Sequence, residues 1–299
     1  MSCGGAIMEG DASSTATSSS SSTSMEPQMM TTHSQHFFGG PSRPDALSVT
    51  IIQVMREDYG MFTWPSSVVL AEYVWQQRAH FSGRTVIELG AGTALPGLVA
   101  AKVGADVILT DSSNRPEILD NMRQTCDLNK VNCKIMGLTW GEWDAGFCSL
   151  NPQIVLGADV LYDSSDFEDL FASVTFLLRS TPGSIFITAY HNRSGHHLVE
   201  YLMVKWGLKC VKLLDAFSFM PASKASTLQG NFELIEVKLD SDLVKGEWRR
   251  MSLPAMLVGE TVGKFLLVSK FAKQSVLFDS NEPKTLMTTK TEPNNKTSI

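Results

Sequence analysis

The 299-residue chain has no window of uninterrupted apolar residues as long as a membrane helix requires, so no membrane span is expected. Its five cysteines, Cys3, Cys126, Cys133, Cys148 and Cys210, are odd in number and include no Cys-x-x-Cys pair. A disulfide framework is therefore not indicated, and reduced thiols in a protein of the cytoplasm and nucleus are expected. Positive charge is scarce: the formal net charge is −6, which argues against a broadly basic surface and against direct nucleic-acid binding. The first 45 residues hold no arginine before Arg43, include Glu9 and Asp11, and have no basic start joined to an apolar stretch. Neither a signal peptide nor a mitochondrial leader is expected there.

What is present divides the chain in three. Residues 1–45 contain a serine-rich run and read as a disordered leader, because small polar residues bury too little surface to offset the entropy of ordering them. Residues 46–240 read as one domain. A β-rich run at 47–54 is followed by Trp64-Pro65, where proline suits the first turn of a helix. Strands are expected at 84–89, 106–110, 133–138, 153–159 and 184–190, with helices near 95–103, 115–129, 166–179 and 195–206. Gly104 is placed to end the first of these helices, and Ser165 with Glu168 forms a capping box for the third. Two further strands, 207–214 and 232–239, have no helix between them and suggest a closing antiparallel pair. Repeated βα alternation predicts a doubly wound α/β fold that binds its ligand at the carboxyl ends of the strands. Residues 241–299 form an extension in which Phe265–Val268 reads as a strand, with a disordered tail from about 279.

The most informative segment is Val86-Ile87-Glu88-Leu89-Gly90-Ala91-Gly92-Thr93-Ala94-Leu95-Pro96-Gly97, followed by a second apolar run ending in Asp111. A strand, a Gly-x-Gly turn, a helix, and an acid 21 residues after Gly90 make a βαβ unit suited to an adenosine-containing cofactor. A dinucleotide site would need glycine at position 95, which is leucine, and Glu88 just before the turn would repel a pyrophosphate. The same acid suits a cationic ligand, so S-adenosyl-L-methionine fits better than NAD. Gly90, Ala91 and Gly92 would let the backbone approach the cofactor, and Asp111 beside Ser112 would accept the ribose hydroxyls. The alternatives are an ordinary βα turn and an acid that caps the next helix.

These residues, with Trp64-Pro65, Leu138-Thr139-Trp140-Gly141 and Gly157-Ala158-Asp159-Val160-Leu161-Tyr162, resemble the seven-β-strand protein methyltransferases of the family 16 type. The resemblance covers roughly residues 47–239. It implies a Rossmann-like class I methyltransferase fold with a mostly parallel sheet and a closing antiparallel strand pair. It also implies methylation of a side-chain nitrogen, lysine across most of the family and arginine, on histone, in the branch that the Trp-Pro-Ser-Ser opening suggests. Trp64 and Trp140 carry over as cofactor contacts, as does Ala158 at the strand end, whereas by composition alone a tryptophan is more often core.

Asp159 and Tyr162 are the candidate catalytic pair. Methyl transfer from a sulfonium is an in-line displacement, so a carboxylate that orients or deprotonates the attacking nitrogen, and a phenol beside it, are what the reaction needs. A helix-start acid and a core tyrosine are the competing reading. The acids Asp163, Asp166, Glu168 and Asp169 extend this rim toward a basic segment of a protein substrate, of the histone or chaperone class. His191 and Arg193 share the rim; no second histidine stands at metal-ligand spacing, and no metal is expected. The protein is expected to act as a monomer. A methyltransferase for a small amine and a cofactor-binding interaction protein without turnover are the other readings.

Overall fold

A computed structural model describes residues 30–40, 43–55, 61–192 and 196–240. The chain divides into two units, Met1–Leu239 and Asp240–Ile299, and all of the second beyond Asp240 lies outside the described residues. The expectations for the start of the leader, for Phe265–Val268 and for the tail fall outside them too.

The first element corrects the sequence reading. Met30–Phe38 is a strand, β1, inside the segment expected to be a disordered leader. It pairs antiparallel with β2 (Leu47–Met55) from Met30 opposite Met55 to Phe38 opposite Leu47. Its own sequence, MTTHSQHFF, has no apolar alternation to reveal it; its ordering comes from that ladder and from Phe38, which is buried. The opposite edge of β2 is covered by amides of a later helix. Asn129 accepts from the Thr50 N–H at 2.9 Å and donates to the Thr50 carbonyl at 2.6 Å, and Asn121 donates to the Ile52 carbonyl at 3.1 Å. Backbone groups that would otherwise be left unpaired are thus satisfied.

After the hairpin come α1 (Pro65–Gln76) and the short α2 (Arg78–Phe81), with proline in the first turn of α1 as the sequence predicts. Strands and helices then alternate: β3 (Thr85–Glu88), α3 (Leu95–Lys102), β4 (Asp106–Asp111), α4 (Pro116–Asn129), β5 (Lys134–Gly137), α5 (Ala145–Cys148), β6 (Ile154–Ala158), α6 (Phe167–Ser180), β7 (Ile185–His191) and α7 (His196–Lys205). The domain closes with β8 (Leu208–Asp215), a 3-10 turn, α8 (Ala222–Ala225) and β9 (Phe232–Leu239).

Seven strands form the main sheet in the order β5-β4-β3-β6-β7-β9-β8. All pairings are parallel except those of β9, which runs antiparallel to both β7 and β8. The last of the described strands therefore slots between β7 and β8. Strand order reverses between β3 and β6, which opens a crevice at the carboxyl ends of those strands. Two apolar cores flank the sheet. One joins α1, α3, α4 and the hairpin, through Val69, Leu98 and Met122; the other joins α5, α6 and α7, through Phe147, Phe171 and Leu202. Trp75 is buried in the first, and Trp143 stacks edge-on to Phe147 in the second, so both act in packing; Trp206 packs against the second core and Trp248 lies outside the described residues.

Local signals are mixed in outcome. Gly104 follows the end of α3 with φ +96°, as expected. The capping box at Ser165 does not form: the Ser165 hydroxyl donates to Asp163 at 2.8 Å, and α6 starts at Phe167 with no side-chain cap. Among the described residues no helix is long and apolar enough to cross a membrane, and Cys126, Cys133, Cys148 and Cys210 are free thiols.

Candidate active site

The turn after β3 is built from backbone that ordinary residues avoid. Gly90 (φ +57°), Gly92 (φ +53°) and Ala94 (φ +62°) all take left-handed conformations. Glycine makes this cheap at the first two, while Ala94 carries a cost of about 1 kcal/mol or more that the surrounding structure must offset. Four hydrogen bonds do so: Leu89 N–H to Leu156 O at 2.9 Å, Ala91 N–H to Thr110 O at 2.8 Å, Ala94 N–H to Ala91 O at 2.6 Å, and Gly92 N–H to the Asp111 carboxylate at 2.9 Å. A side chain at Gly90 would also collide: its Cβ would stand 3.0 Å from the Trp140 ring and 3.2 Å from Val160. Trp140 and the residue after Asp159 therefore border the same turn.

Asp111 ends β4 and uses both oxygens, one for Gly92 and one for the Ser112 N–H at 2.8 Å. Burial raises its pKa above the usual carboxylate range, opposed by those two donors. It does not cap α4, which begins at Pro116 with Arg115 in the cap position and no side-chain bond there; the helix-cap alternative is removed. Ser112 shapes the same loop, its hydroxyl accepting from Asn114 N–H at 3.4 Å, and the neighbouring Ser113 N–H reaches the Thr139 hydroxyl at 3.3 Å. Trp64 occupies the position just before α1, and the adjoining Thr63 hydroxyl bonds the Thr93 hydroxyl at 3.2 Å, which draws this segment to the glycine turn. Ala158 ends β6 opposite Ala189.

Glu88 departs from its expected place. The side chain is fully buried, and one oxygen accepts the Gly97 N–H at 2.8 Å beneath the first turn of α3, while the other has no hydrogen-bond partner. Burial pushes its pKa up to about 8. A carboxyl shut off from solvent under a helix and kept neutral does not face a cation in the crevice; it supports the turn from below. A Cβ at Gly97 would lie 2.5 Å from that carboxyl and 2.4 Å from Leu109, which is why position 97 is glycine.

Asp159 and Tyr162 stand at the crevice. Asp159 has φ +56°, is 8% exposed, and its N–H is bonded to Ala189 O at 2.8 Å. Among the described residues no hydrogen bond reaches its carboxylate, which keeps contact with solvent. It is no helix-start acid, since α6 begins eight residues later. Left-handed backbone at a non-glycine residue costs about 1 kcal/mol or more, and a nearly buried carboxylate that still reaches solvent there is placed to meet a ligand. Tyr162 is 56% exposed, so it is no core tyrosine. Its phenol pKa is raised by partial burial and by the nearby carboxylates of Asp166, Asp111 and Asp163. Asp111 and Tyr162, 51 positions apart, are thus near enough for the carboxylate's charge to act on the phenol.

The acidic run contributes less than its composition suggests. Asp163 is engaged by the Ser165 N–H and hydroxyl, Glu168 pairs with Lys205, and Asp169 lies against Gly141. Sequence reasoning missed a cluster on the other side of Asp159. The Tyr190 hydroxyl donates to Glu233 at 2.8 Å, and Asn192 donates to the second Glu233 oxygen at 2.8 Å. Beside them the His191 ring stacks on Phe232 at 4.9 Å. Glu233 is distant in sequence and looks like one more polar position in an alternating strand, so only the sheet order could reveal it. Arg193 and the side chains of His196 and His197 lie outside the described residues, among which no group of acids, histidines or cysteines is arranged to hold a metal.

The turn geometry fits an adenosine-bearing cofactor: glycine backbone approaches where side chains would collide, an acid ends β4, and an indole borders the turn. A family model described as "Lysine methyltransferase" matches residues 44–202. The histone-arginine methyltransferase METTL23 of Xenopus laevis is 45% identical over 169 residues, which is 56% of this chain and 72% of that protein. The human protein of that name is 42% identical over 160 residues, covering 52% of this chain and 84% of its own length. The mouse protein-lysine methyltransferase METTL21E is 35% identical over 136 residues, 42% of this chain and 54% of that protein.

Proposed function

Because the chain belongs to the lysine methyltransferase family, we propose that it transfers a methyl group from S-adenosyl-L-methionine to a side-chain nitrogen of a protein, and that the target is an arginine of histone. The observation that carries this is Asp159, a nearly buried carboxylate on strained backbone at the crevice, with no hydrogen bond to that carboxylate among the described residues. When bound, the cofactor supplies an electrophilic methyl group. The chain supplies position and charge: the Gly90–Gly92 turn and Asp111 hold the donor end, and Asp159 orients the attacking nitrogen and takes up its proton. Tyr162, exposed beside the crevice, hydrogen-bonds the incoming group. The relatives at 42–45% identity are named for histone arginine and support that residue type over lysine. A histone target would place the protein at least partly in the nucleus.

The test is to incubate the purified protein and isotope-labelled cofactor with core histones and identify the labelled residue by mass spectrometry. Label on arginine is expected. Label confined to lysine would reassign the residue type, and no label on any protein would remove the reading.

A further inference from the structure

Asp159 has a companion two strands away. Asp159 leaves β6 bonded through its N–H to Ala189 O; the next residue of β7, Tyr190, lies opposite Glu233 on β9. Neighbouring strands are about 4.8 Å apart, so the backbones of the two acids are about 10 Å apart, with the Tyr190 position between them. Because β9 runs antiparallel, it is its amino end that reaches the rim where β6 and β7 finish. Glu233 continues the alternation of Ile235 and Val237, which pack in the core that also contains Tyr190, and it therefore faces the same side of the sheet as that ring.

The Glu233 carboxylate is held on both oxygens, by the Tyr190 hydroxyl and the Asn192 amide, each at 2.8 Å. A carboxylate offers about four acceptor sites, so two remain for a ligand. Burial and the bond to Glu233 raise the pKa of Tyr190, which keeps the phenol a donor.

We propose that Glu233, fixed by Tyr190 and Asn192, is the second carboxylate of a two-acid receiver which, with Asp159, selects a guanidinium over an ammonium as the target group. This rests on the protein-methyltransferase reading and deepens it. A guanidinium is planar, presents five N–H donors, and can engage a carboxylate on each side, whereas an ammonium is a compact point charge. The chemistry favours the same choice. A guanidinium spreads its charge over three nitrogens, so carboxylates can hold two of them while the third attacks and gives up its proton afterwards. An ammonium has a single nitrogen, which must lose its proton first. Asn192 and Tyr190 act as positioning residues through Glu233.

The test is calorimetry on the full-length protein saturated with S-adenosylhomocysteine. It is titrated with a histone-tail peptide bearing one arginine, and with the same peptide carrying lysine or citrulline at that position. The unmodified protein is expected to prefer arginine. Glu233→Gln should weaken the arginine peptide about 10- to 100-fold, the size of a charged hydrogen bond, and leave the lysine and citrulline peptides within about threefold. Tyr190→Phe should weaken the arginine peptide in the same selective way by a smaller factor. If Glu233 only anchors Tyr190, Glu233→Gln will lower the melting temperature and leave the three affinities in their original ratio, which overturns the inference. Equal binding of arginine and lysine by the unmodified protein overturns it as well. Should Glu233→Gln fail to fold, Glu233→Asp keeps the charge but draws it back, and the selective loss is still required. Turnover is measured separately: intact arginine preference with no methyl transfer would defeat the enzymatic reading and leave this inference standing.

Discussion

The carboxylate of Asp111 accepts the backbone N–H of Gly92 at 2.9 Å, so the acid expected to serve a ligand also fixes the turn beneath it. The two roles predict a joint effect. Asp111→Ala should weaken S-adenosylhomocysteine binding by about 1.5–3 kcal/mol, the range for hydrogen bonds to a charged group, and should also lower thermal stability. Calorimetry and a melting curve on one sample check both. Full-strength binding in a destabilised variant would leave Asp111 with the turn alone.

Asp159→Asn is expected to leave cofactor affinity and folding unchanged, since asparagine tolerates left-handed backbone and has the same shape. Methyl transfer should fall about 10²–10⁴-fold, the span for a positioned acid–base group. Single-turnover rates with labelled cofactor measure this. A rate within threefold of the unmodified protein would move the proton-accepting role to another group.

Glu88 predicts a stability that depends on pH. In the folded protein its pKa is raised from 4.5 to about 8, so between those values the folded state holds a proton that the unfolded chain releases. Its contribution is fully present below about pH 4.5 and is lost as pH rises through 8, amounting to a few kcal/mol in order of magnitude. Glu88→Gln mimics the neutral form and should flatten that slope, raising the denaturation midpoint at pH 8 relative to the parent far more than at pH 5. Equal shifts at both pH values would show that Glu88 is charged in the folded state.

The hairpin predicts different outcomes for two truncations. Removing residues 1–29 should leave melting unchanged, whereas removing 1–45 takes away β1 with its buried Phe38 and bares the edge of β2 that β1 pairs. Loss of a buried phenylalanine alone costs about 3–5 kcal/mol, so a lower melting temperature is expected for the longer deletion only.

His36 makes that hairpin sensitive to acid. Burial, then the Lys224 charge, lower its pKa to about 4 from the ordinary 6.5. Below pH 6.5 the unfolded chain takes up a proton that the folded one resists, so stability present above 6.5 is lost as pH falls toward 4. Amide exchange across 30–38 should accelerate between pH 7 and 5 relative to the central strands, after correction for the intrinsic pH dependence of exchange. Uniform protection across both regions would contradict this.

The parts legible in the sequence were those carried by local pattern. Near-continuous apolar runs marked β3 and β6 as covered on both faces, and Gly90-x-Gly92 with Asp111 marked the crevice. β1 was hidden because its order comes from partners at 47–55. Glu88 was misplaced because a strand-end acid reads the same whether it points to the crevice or under a helix; Gly97 was the available clue, since a glycine in the first helical turn signals something packed close against it. Glu233 was invisible for a third reason. Nothing local distinguishes its place in Phe232–Leu239, and its meaning depends on β9 inserting between β7 and β8.

That insertion has a consequence for how the molecule is made. A ribosome delivers β7 and α7 before β9, so for about 40 residues of synthesis a buried strand of the sheet has one bare edge. The interval invites chaperone attention or strand pairing with another nascent chain. It also orders assembly in time: the residues of the cofactor half of the crevice are all present once β6 is made, while the rim at Glu233 arrives with β9. A message cut short before codon 232 would therefore encode the residues that meet the donor yet lack the rim that meets the acceptor.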